Sequence, residues 1–354
     1  MRILVIIFRN IGDALLSTPL IKNLKLNYPN SELHVALNSY TTEVFSSNSS
    51  IDQLIEYKRE EIKNSSLLKR LIMELSFISK FVNAKYDIVI NLTSGDRGAL
   101  ISLLSNSRIS VGFNKKPIFN KVYSINLPPQ KNLHTVDFYL NALDKLKLKT
   151  YSKEVDIFWN KEDEKKVEAF KIKNGFIHIH PVSRWLFKCL DDNLIARIID
   201  FFEIELNRKV VITSAPIAKE IEKNNKILSL CSSCPTNLSG LLSLNELAYL
   251  NSRSSLFLGV DTAVMHISAA NNIPTIAFFG PSGANNWGPW DNSLFKNGYT
   301  QKNGIQKMGR HVVISESRGC QPCGKDGCNG SKISECLTNI EFDSIKRVIL
   351  AKIS

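Results

Sequence analysis

Four runs in the first third of the chain, Ile3–Phe8, Leu33–Leu37, Asp87–Leu92 and Ile109–Val111, read as short strands, three of them nearly unbroken in apolar residues. Strands buried on both faces carry that pattern, so a parallel sheet covered by helices is expected. Amphipathic segments such as Leu20–Leu26 and Leu67–Val82 supply helices between them. Thr18 followed by Pro19 reads as an N-cap and first helical position, and Tyr28-Pro29-Asn30 stops that helix. The stretch Lys145–Asp163 is polar, charged and weakly periodic, which places a domain boundary there. A second series follows, with strands at Phe176–His180, Val210–Thr213, Leu256–Val260 and Thr275–Phe279. Helical patterns fill its gaps at Asp192–Leu206, Ile217–Leu230 and Leu244–Ser252, and Ile340–Ile353 reads as a terminal amphipathic helix. The expected architecture is α/β: two Rossmann-like, doubly wound domains, residues 1–160 and 161–338, facing each other across a cleft, with residues 339–354 as the terminal helix.

Length agrees, since 354 residues suggest about two domains. A hydrophobic content of 44% with 22% charged residues excludes a mostly disordered chain. No apolar run approaches the ~18–20 residues that cross a bilayer. The opening run Ile3–Phe8 is too short for a secretory signal and is followed by Arg9, so a cytoplasmic address is expected. Lys and Arg number 45 against 33 Asp and Glu, a net charge of +12. That excess suits an acidic partner such as nucleic acid, anionic lipid or a phosphorylated sugar, or else forms a solvated Lys-rich surface.

In open parallel sheets ligands bind beyond the carboxyl ends of the strands, so the loops after the strands are the places to search. After the first strand, Gly12 permits a tight turn and Asp13 emerges at the sheet edge, either as a helix N-cap or facing the cleft. One glycine does not make a dinucleotide fingerprint. At Gly259–His266 a buried strand turns directly into a helix whose first amides could receive an anion. There Asp261 could be a plain N-cap and His266 a core histidine. Gly280-Pro281-Ser282-Gly283 ends the next strand, and two adjacent loops of small residues favour a ligand crevice. After the first strand of the second domain, Ser183, Arg184 and Lys188 combine a hydroxyl with two cations, as a phosphate site would or as an ordinary surface loop might.

Four of the seven cysteines, Cys320, Cys323, Cys328 and Cys336, fall close together. They could hold a structural zinc or pack as thiols near the cleft, and the Cys328-to-Cys336 spacing is irregular for paired zinc knuckles. Disulfides are disfavoured in a reducing cytosol. Cys231 and Cys234 lack partner ligands nearby in sequence.

The segments FRNIGDALLSTP, HPVSRWLFK, GVDTAVMHI, AFFGPSGANNWGPW and CQPCGKDGC together resemble glycosyltransferase family 9, the bacterial ADP-heptose:lipopolysaccharide heptosyltransferases. NLTSGDRGAL, HTVDFYL, WGPW and the Cys-rich tail are most similar to its heptosyltransferase III branch. The resemblance implies the GT-B fold, with an N-terminal acceptor domain, a C-terminal nucleotide-sugar domain, a terminal helix crossing back onto the first domain, and no required cofactor or metal. It implies Asp13 as general base and Lys188 and Ser183 as contacts to the donor phosphates. Asp261 would hold the heptose hydroxyls, and the amides of Thr262, Ala263 and Val264 the pyrophosphate. Arg184 and His266 join the donor site, Leu242 packs against adenine, and Glu220 or Glu222 meets adenosine. Arg9, Asn10, Gly12, Asp96 and Arg97, together with Lys115 and Lys116, are the acceptor candidates.

The function implied is inverting transfer of heptose from ADP-heptose to the lipopolysaccharide or lipooligosaccharide inner core. The alternatives are a family 9 transferase using another nucleotide sugar, and a non-catalytic nucleotide-sugar binder. Inversion needs a carboxylate to take the acceptor's proton and cations or dipoles to meet the departing diphosphate. With base and donor site on different domains, activity is expected to require closure of the cleft. The positive charge would then serve an acidic, lipid-linked acceptor, with peripheral attachment at the cytoplasmic face of the inner membrane. Nucleic acid is not expected, since the interleaved basic and aromatic residues of single-strand binders are missing.

Overall fold

The computed structural model describes residues 1–353 apart from 83, 114–116 and 131. It divides into two compact units, Met1–Lys153 and Glu154–Ser354. The division falls inside the polar stretch Lys145–Asp163, and Val155 already belongs to the second unit. Its backbone N–H and carbonyl both bond the Asn292 side chain, at 2.9 and 3.1 Å.

The first unit carries a six-stranded parallel sheet, in the order β3-β2-β1-β4-β5-β6. The strands are β1 Arg2–Ile7, β2 Glu32–Asn38, β3 Gln53–Tyr57, β4 Ile88–Asn91, β5 Ile109–Gly112 and β6 Ile125–Asn126. The second carries seven: β7 Ile177–His180, β8 Val210–Ile212, β9 Thr236–Asn237, β10 Leu256–Val260, β11 Thr275–Phe278, β12 Gln306–Met308 and β13 His311–Ile314. Their order is β12-β13-β11-β10-β7-β8-β9, all parallel except the β12–β13 hairpin at one edge. The strands with continuous apolar runs are the central ones, buried on both faces as their composition requires. Those not expected from the pattern are at or beside an edge, where β6 and β9 are two residues long and β3 alternates exposed with buried positions.

Helix boundaries follow local chemistry. Leu244–Ser252 starts with a reciprocal capping box: the Glu246 N–H donates to Ser243 Oγ and the Ser243 N–H to Glu246 Oε2. Asp191 caps Asp192–Asp200, which continues as a wider π turn over Phe201–Glu205. Thr18 departs from expectation. It is the first residue of Thr18–Asn27 rather than its cap, because its hydroxyl donates to the Leu15 carbonyl and closes the preceding helix instead. The last helix, Phe342–Ile353, buries Phe342, Ile345 and Ile349 in the second unit's core, with Phe342 edge-on to Phe201.

Two constraints hold the second sheet where its loops matter. At Gly259 a Cβ would meet the His180 carbonyl at 2.7 Å, so β10 lies against β7 only because that residue has no side chain. Beneath, Asn251 Nδ2 donates to His178 Nδ1 at 2.9 Å, which makes the Nε2–H of His178 the donor to Thr213 Oγ1, also at 2.9 Å. The Thr213 hydroxyl then donates to His180 Nδ1 at 2.9 Å. The chain closes only with both imidazoles neutral. Burial accordingly pushes His178 and His180 down to about 3, with repulsion between the two adding at His178.

Two outcomes follow from these constraints. Gly259→Ala should cost about 1–3 kcal/mol by overpacking, read as a lowered urea midpoint at unchanged slope. In the unfolded chain both histidines titrate near the ordinary ~6.5, so between there and pH 3 the unfolded state binds more protons than the folded one. Their contribution is fully present above pH ~6.5 and is lost as pH falls. Unfolding free energy should therefore already decline from about pH 6.5 to 5, above the range in which carboxylates titrate. A flat profile there would show that the imidazoles are not held neutral.

Candidate active site

In the first unit, β1 runs out through Arg9 and Asn10 into the helix Ile11–Leu16. Asn10 takes the N-cap position and Asp13 is the third helical residue, with no side chain capping the helix. The Asp13 carboxylate is therefore not spent as a cap. Its Oδ1 accepts from Arg9 Nε at 2.5 Å and from the Tyr139 hydroxyl at 3.2 Å, while Oδ2 bonds none of the described residues. Asp13 is 6% exposed, so it is recessed beside polar partners rather than sealed beneath aliphatics. Tyr139 comes from the helix Thr135–Lys145 and is fully buried. Burial first, and the Asp13 charge second, push its phenol well above 10, so it stays a donor. Burial acts against the Arg9 cation, but Tyr139 and Asp13 outweigh it and hold the guanidinium above its ordinary value. The Arg9 carbonyl accepts from Asn38 Nδ2 and the Tyr40 hydroxyl, which fixes the loop. Asn10 is exposed and Gly12 half-buried in the same turn.

Near this turn a cavity of about 580 Å³ opens at the carboxyl ends of β1 to β4. Arg59, Lys63, Arg70 and Arg97 line it, with Asp96 opposing and Phe8 and Tyr57 as aromatic walls. Arg97 is anchored: it meets Glu74 with two nitrogens, at 2.8 and 3.4 Å, and lies 3.9 Å over the Tyr57 ring. The Tyr57 hydroxyl donates to the same Glu74 at 2.6 Å, and burial followed by that bond raises it to about 12. Glu74 thus offsets Arg97, and Arg59, Lys63 and Arg70 outnumber the remaining carboxylate, Asp96, so the cavity stays basic. Lys115 and Lys116 lie outside the described residues.

In the second unit, β11, β10 and β7 are neighbours, and the loops at their carboxyl ends converge. Lys188 Nζ reaches Asp261 Oδ2 at 2.5 Å, and the Ser282 hydroxyl donates to the same oxygen at 2.5 Å. Lys188 also lies 5.3 Å from the Trp185 ring centroid. Asp261 is not an N-cap. Thr262 holds that position at the start of the helix Ala263–Ala270, and neither side chain caps it. The Thr262 hydroxyl is buried with no hydrogen-bond partner among the described residues. The first amides, at Ala263 and Val264, are thus left uncapped beside the Lys188–Asp261 pair, a site suited to an anion. His266 is buried one turn further along. Ser183 is buried and accepts the Trp185 N–H at 3.3 Å, whereas Arg184 is exposed.

Glu220 and Leu242 follow β8 and β9, next along the same edge. Both are buried, and Glu220 Oε2 accepts the Ala215 N–H at 3.1 Å while burial raises its pKa. Glu222 is exposed on the same helix. Among the described residues no three His, Cys, Asp or Glu side chains are grouped as metal ligands. Of the tail cysteines, Cys320 and Cys323 are exposed and Cys336 is buried. Burial, then the nearby Cys328, Cys323 and Cys320, lift the Cys336 thiol to about 11.

Tyr139, Glu74, Tyr57, Arg59, Lys63 and Arg70 are among the site residues that the sequence pattern did not reveal. Tyr139 sits among helical core positions, where periodicity reads it as packing, and its partner lies 126 residues away.

Residues 75–313 match glycosyltransferase family 9 (heptosyltransferase). The chain is 29% identical over 294 residues to the lipopolysaccharide heptosyltransferase 3 of Escherichia coli, covering 80% of this chain and 85% of that protein. It superposes on a family 9 glycosyltransferase from Veillonella parvula DSM 2008 with a TM-score of 0.82 and 21% identity, covering 99% and 96% of the two chains. Against the Escherichia coli heptosyltransferase WaaC with ADP, the TM-score is 0.72 at 15% identity, over 99% and 100%. These likenesses show the fold, the two-sheet α/β architecture of GT-B enzymes. With the family match spanning two thirds of its length, the chain belongs to glycosyltransferase family 9, the heptosyltransferases.

Proposed function

We propose that this heptosyltransferase transfers heptose from ADP-heptose to the inner core of lipopolysaccharide or lipooligosaccharide, with inversion and without a metal, as a heptosyltransferase III-like enzyme. The observation that carries the reading is the Asp13 carboxylate, held on one oxygen by Arg9 and Tyr139 and unused as a helix cap. A nucleotide-sugar binder has no need of such a group.

In this reading Asp13 Oδ2 takes the proton of the acceptor hydroxyl as its oxygen attacks the anomeric carbon from the side opposite the diphosphate. Arg9 and Tyr139 orient the carboxylate. Asp261, itself oriented by Lys188 and Ser282, accepts from the sugar hydroxyls. Lys188 and the amides of Thr262, Ala263 and Val264 meet the charge that grows on the departing diphosphate, each worth up to several kcal/mol in a site shielded from water. That charge stabilisation is what a metal would otherwise supply. Ser183, Arg184 and His266 complete the donor pocket, with Leu242 against adenine and Glu220 toward adenosine. The basic cavity, with Arg97 and Asp96 in its wall and Arg9, Asn10 and Gly12 nearby, suits an acidic acceptor. An acceptor of that kind is lipid-linked, so the enzyme works as a peripheral protein at the cytoplasmic face of the inner membrane. The match to the Escherichia coli protein supports the branch.

Asp13→Ala should keep ADP-heptose affinity while kcat falls by ~10²–10⁴, the usual range for a lost general base. Tyr139→Phe removes one hold on the carboxylate, about 1 kcal/mol or roughly fivefold in kcat, with donor affinity unchanged. An Asp13→Ala enzyme as fast as the parent would end the mechanism. Thermal shift across ADP-, UDP- and GDP-sugars should single out ADP-heptose, stabilising by about 2.7 kcal/mol at a hundredfold excess over Kd. Equal shifts with a UDP- or GDP-sugar would point to a different donor.

A further inference from the structure

The helix Leu67–Ser79 packs on the first unit through Phe77, which lies 5.0 Å from the Tyr57 ring and 5.3 Å from Phe81, with Met73 against the same core and Glu74 bonded to Tyr57 and Arg97. Its other side presents Leu67, Leu68, Leu71, Ile72 and Leu75, each between 56% and 84% exposed. At 100° per residue these five fall within an arc of about 140°, so they form one apolar stripe rather than scattered surface leucines. Lys69 flanks the stripe beyond Ile72 and Arg70 flanks it beyond Leu67, and both are exposed, while Lys80 follows at the helix end with its ammonium 5.9 Å from the Phe77 ring. On the opposite flank the same helix contributes Arg70 to the basic cavity and Glu74 to the Arg97 anchor.

Charge says what covers such a stripe. Met1–Lys153 holds 21 of the 45 Lys and Arg but 12 of the 33 Asp and Glu, so +9 of the chain's +12 belongs to the first unit. An apolar helix face with cations on its margin, on a strongly positive unit, is complementary to an anionic lipid surface. No described helix is long and apolar enough to cross a membrane, so the contact is with the interface.

We infer that the exposed face of Leu67–Ser79 docks the protein on an anionic bilayer, with the leucine stripe among the headgroups and the basic cavity beside it. The inference rests on the proposed lipid-linked acceptor and deepens it by naming the docking surface. A cavity whose wall shares the docking helix receives the charged sugar of a lipid-anchored acceptor without extracting it from the leaflet.

Co-sedimentation with vesicles tests it, comparing phosphatidylethanolamine–phosphatidylglycerol with phosphatidylcholine alone. The parent should partition to the anionic vesicles, more weakly as salt rises, by about fivefold per cation engaged. A Leu68→Gln, Leu71→Gln, Ile72→Gln, Leu75→Gln variant should lose about tenfold or more of that partitioning. It should melt as the parent does and transfer heptose at the parental rate to a lipid-free core oligosaccharide. If the variant sediments with vesicles as the parent does, or the parent ignores anionic lipid, the docking face is wrong. If the parent is a dimer that the variant dissolves, the stripe is a protein interface and the inference also fails. Transfer to the lipid-free acceptor reads the enzymatic proposal separately, since its absence in the parent would overturn that proposal whatever the vesicles show.

Discussion

The close approach of β10 to β7 at Gly259 is the constraint on which the second unit's chemistry depends. A side chain there would strike the His180 carbonyl, and the strands would part just before the loops that bring Asp261 and Lys188 together. Register fixes the rest. Because β11, β10 and β7 run parallel and adjacent, their carboxyl ends deliver Ser282, Asp261 and Lys188 to one place from positions up to 94 residues apart. Those three side chains share a single carboxylate oxygen. The uncapped start of Ala263–Ala270 lies next to them, since Asp261 is engaged by Lys188 and Ser282 and is unavailable as a cap.

Asp13 and Asp261 show how environment separates roles. Asp13 is gripped on one oxygen by a guanidinium and a phenol, a geometry that orients the other. Asp261 is gripped by an ammonium and a hydroxyl and sits among groups suited to a sugar and a diphosphate. A plain helix cap requires the side chain to bond the first turn's amides, and neither carboxylate does so. The buried His178–Thr213–His180 chain below is structural, and its neutrality is the condition under which all its donors and acceptors match.

The first unit combines three features that share elements. Arg97 stacks on Tyr57 and pairs with Glu74, and Glu74 belongs to the helix whose far side is the exposed leucine stripe. A basic cavity and an apolar surface are thus built on opposite flanks of one thirteen-residue helix. Under the proposed function and docking, that arrangement would let one element serve both the anchoring surface and the acceptor's recognition.

Apolar continuity made the central strands legible, because a strand buried on both faces is apolar at most positions, and its few polar ones, such as His178 and His180 in β7, are buried with hydrogen-bond partners. The capping pairs did the same for helix starts such as Ser243 with Glu246. The series of short motifs was enough to indicate the family. Edge strands such as β6 and β9 stayed hidden, since two half-exposed residues leave no periodic signal. Tyr139, Glu74 and Arg70 stayed hidden for a different reason: a helical tyrosine or a surface arginine carries no mark of a partner until folding brings it near. Hydrophobic period and turn chemistry are local, so the order of residues alone already dictates which segments are buried and which loops lie at the sheet edges. Which side chains meet there, which oxygen of Asp13 is held, and that four leucines and Ile72 remain outside emerge only on folding, because contact between distant residues is set by strand order and register.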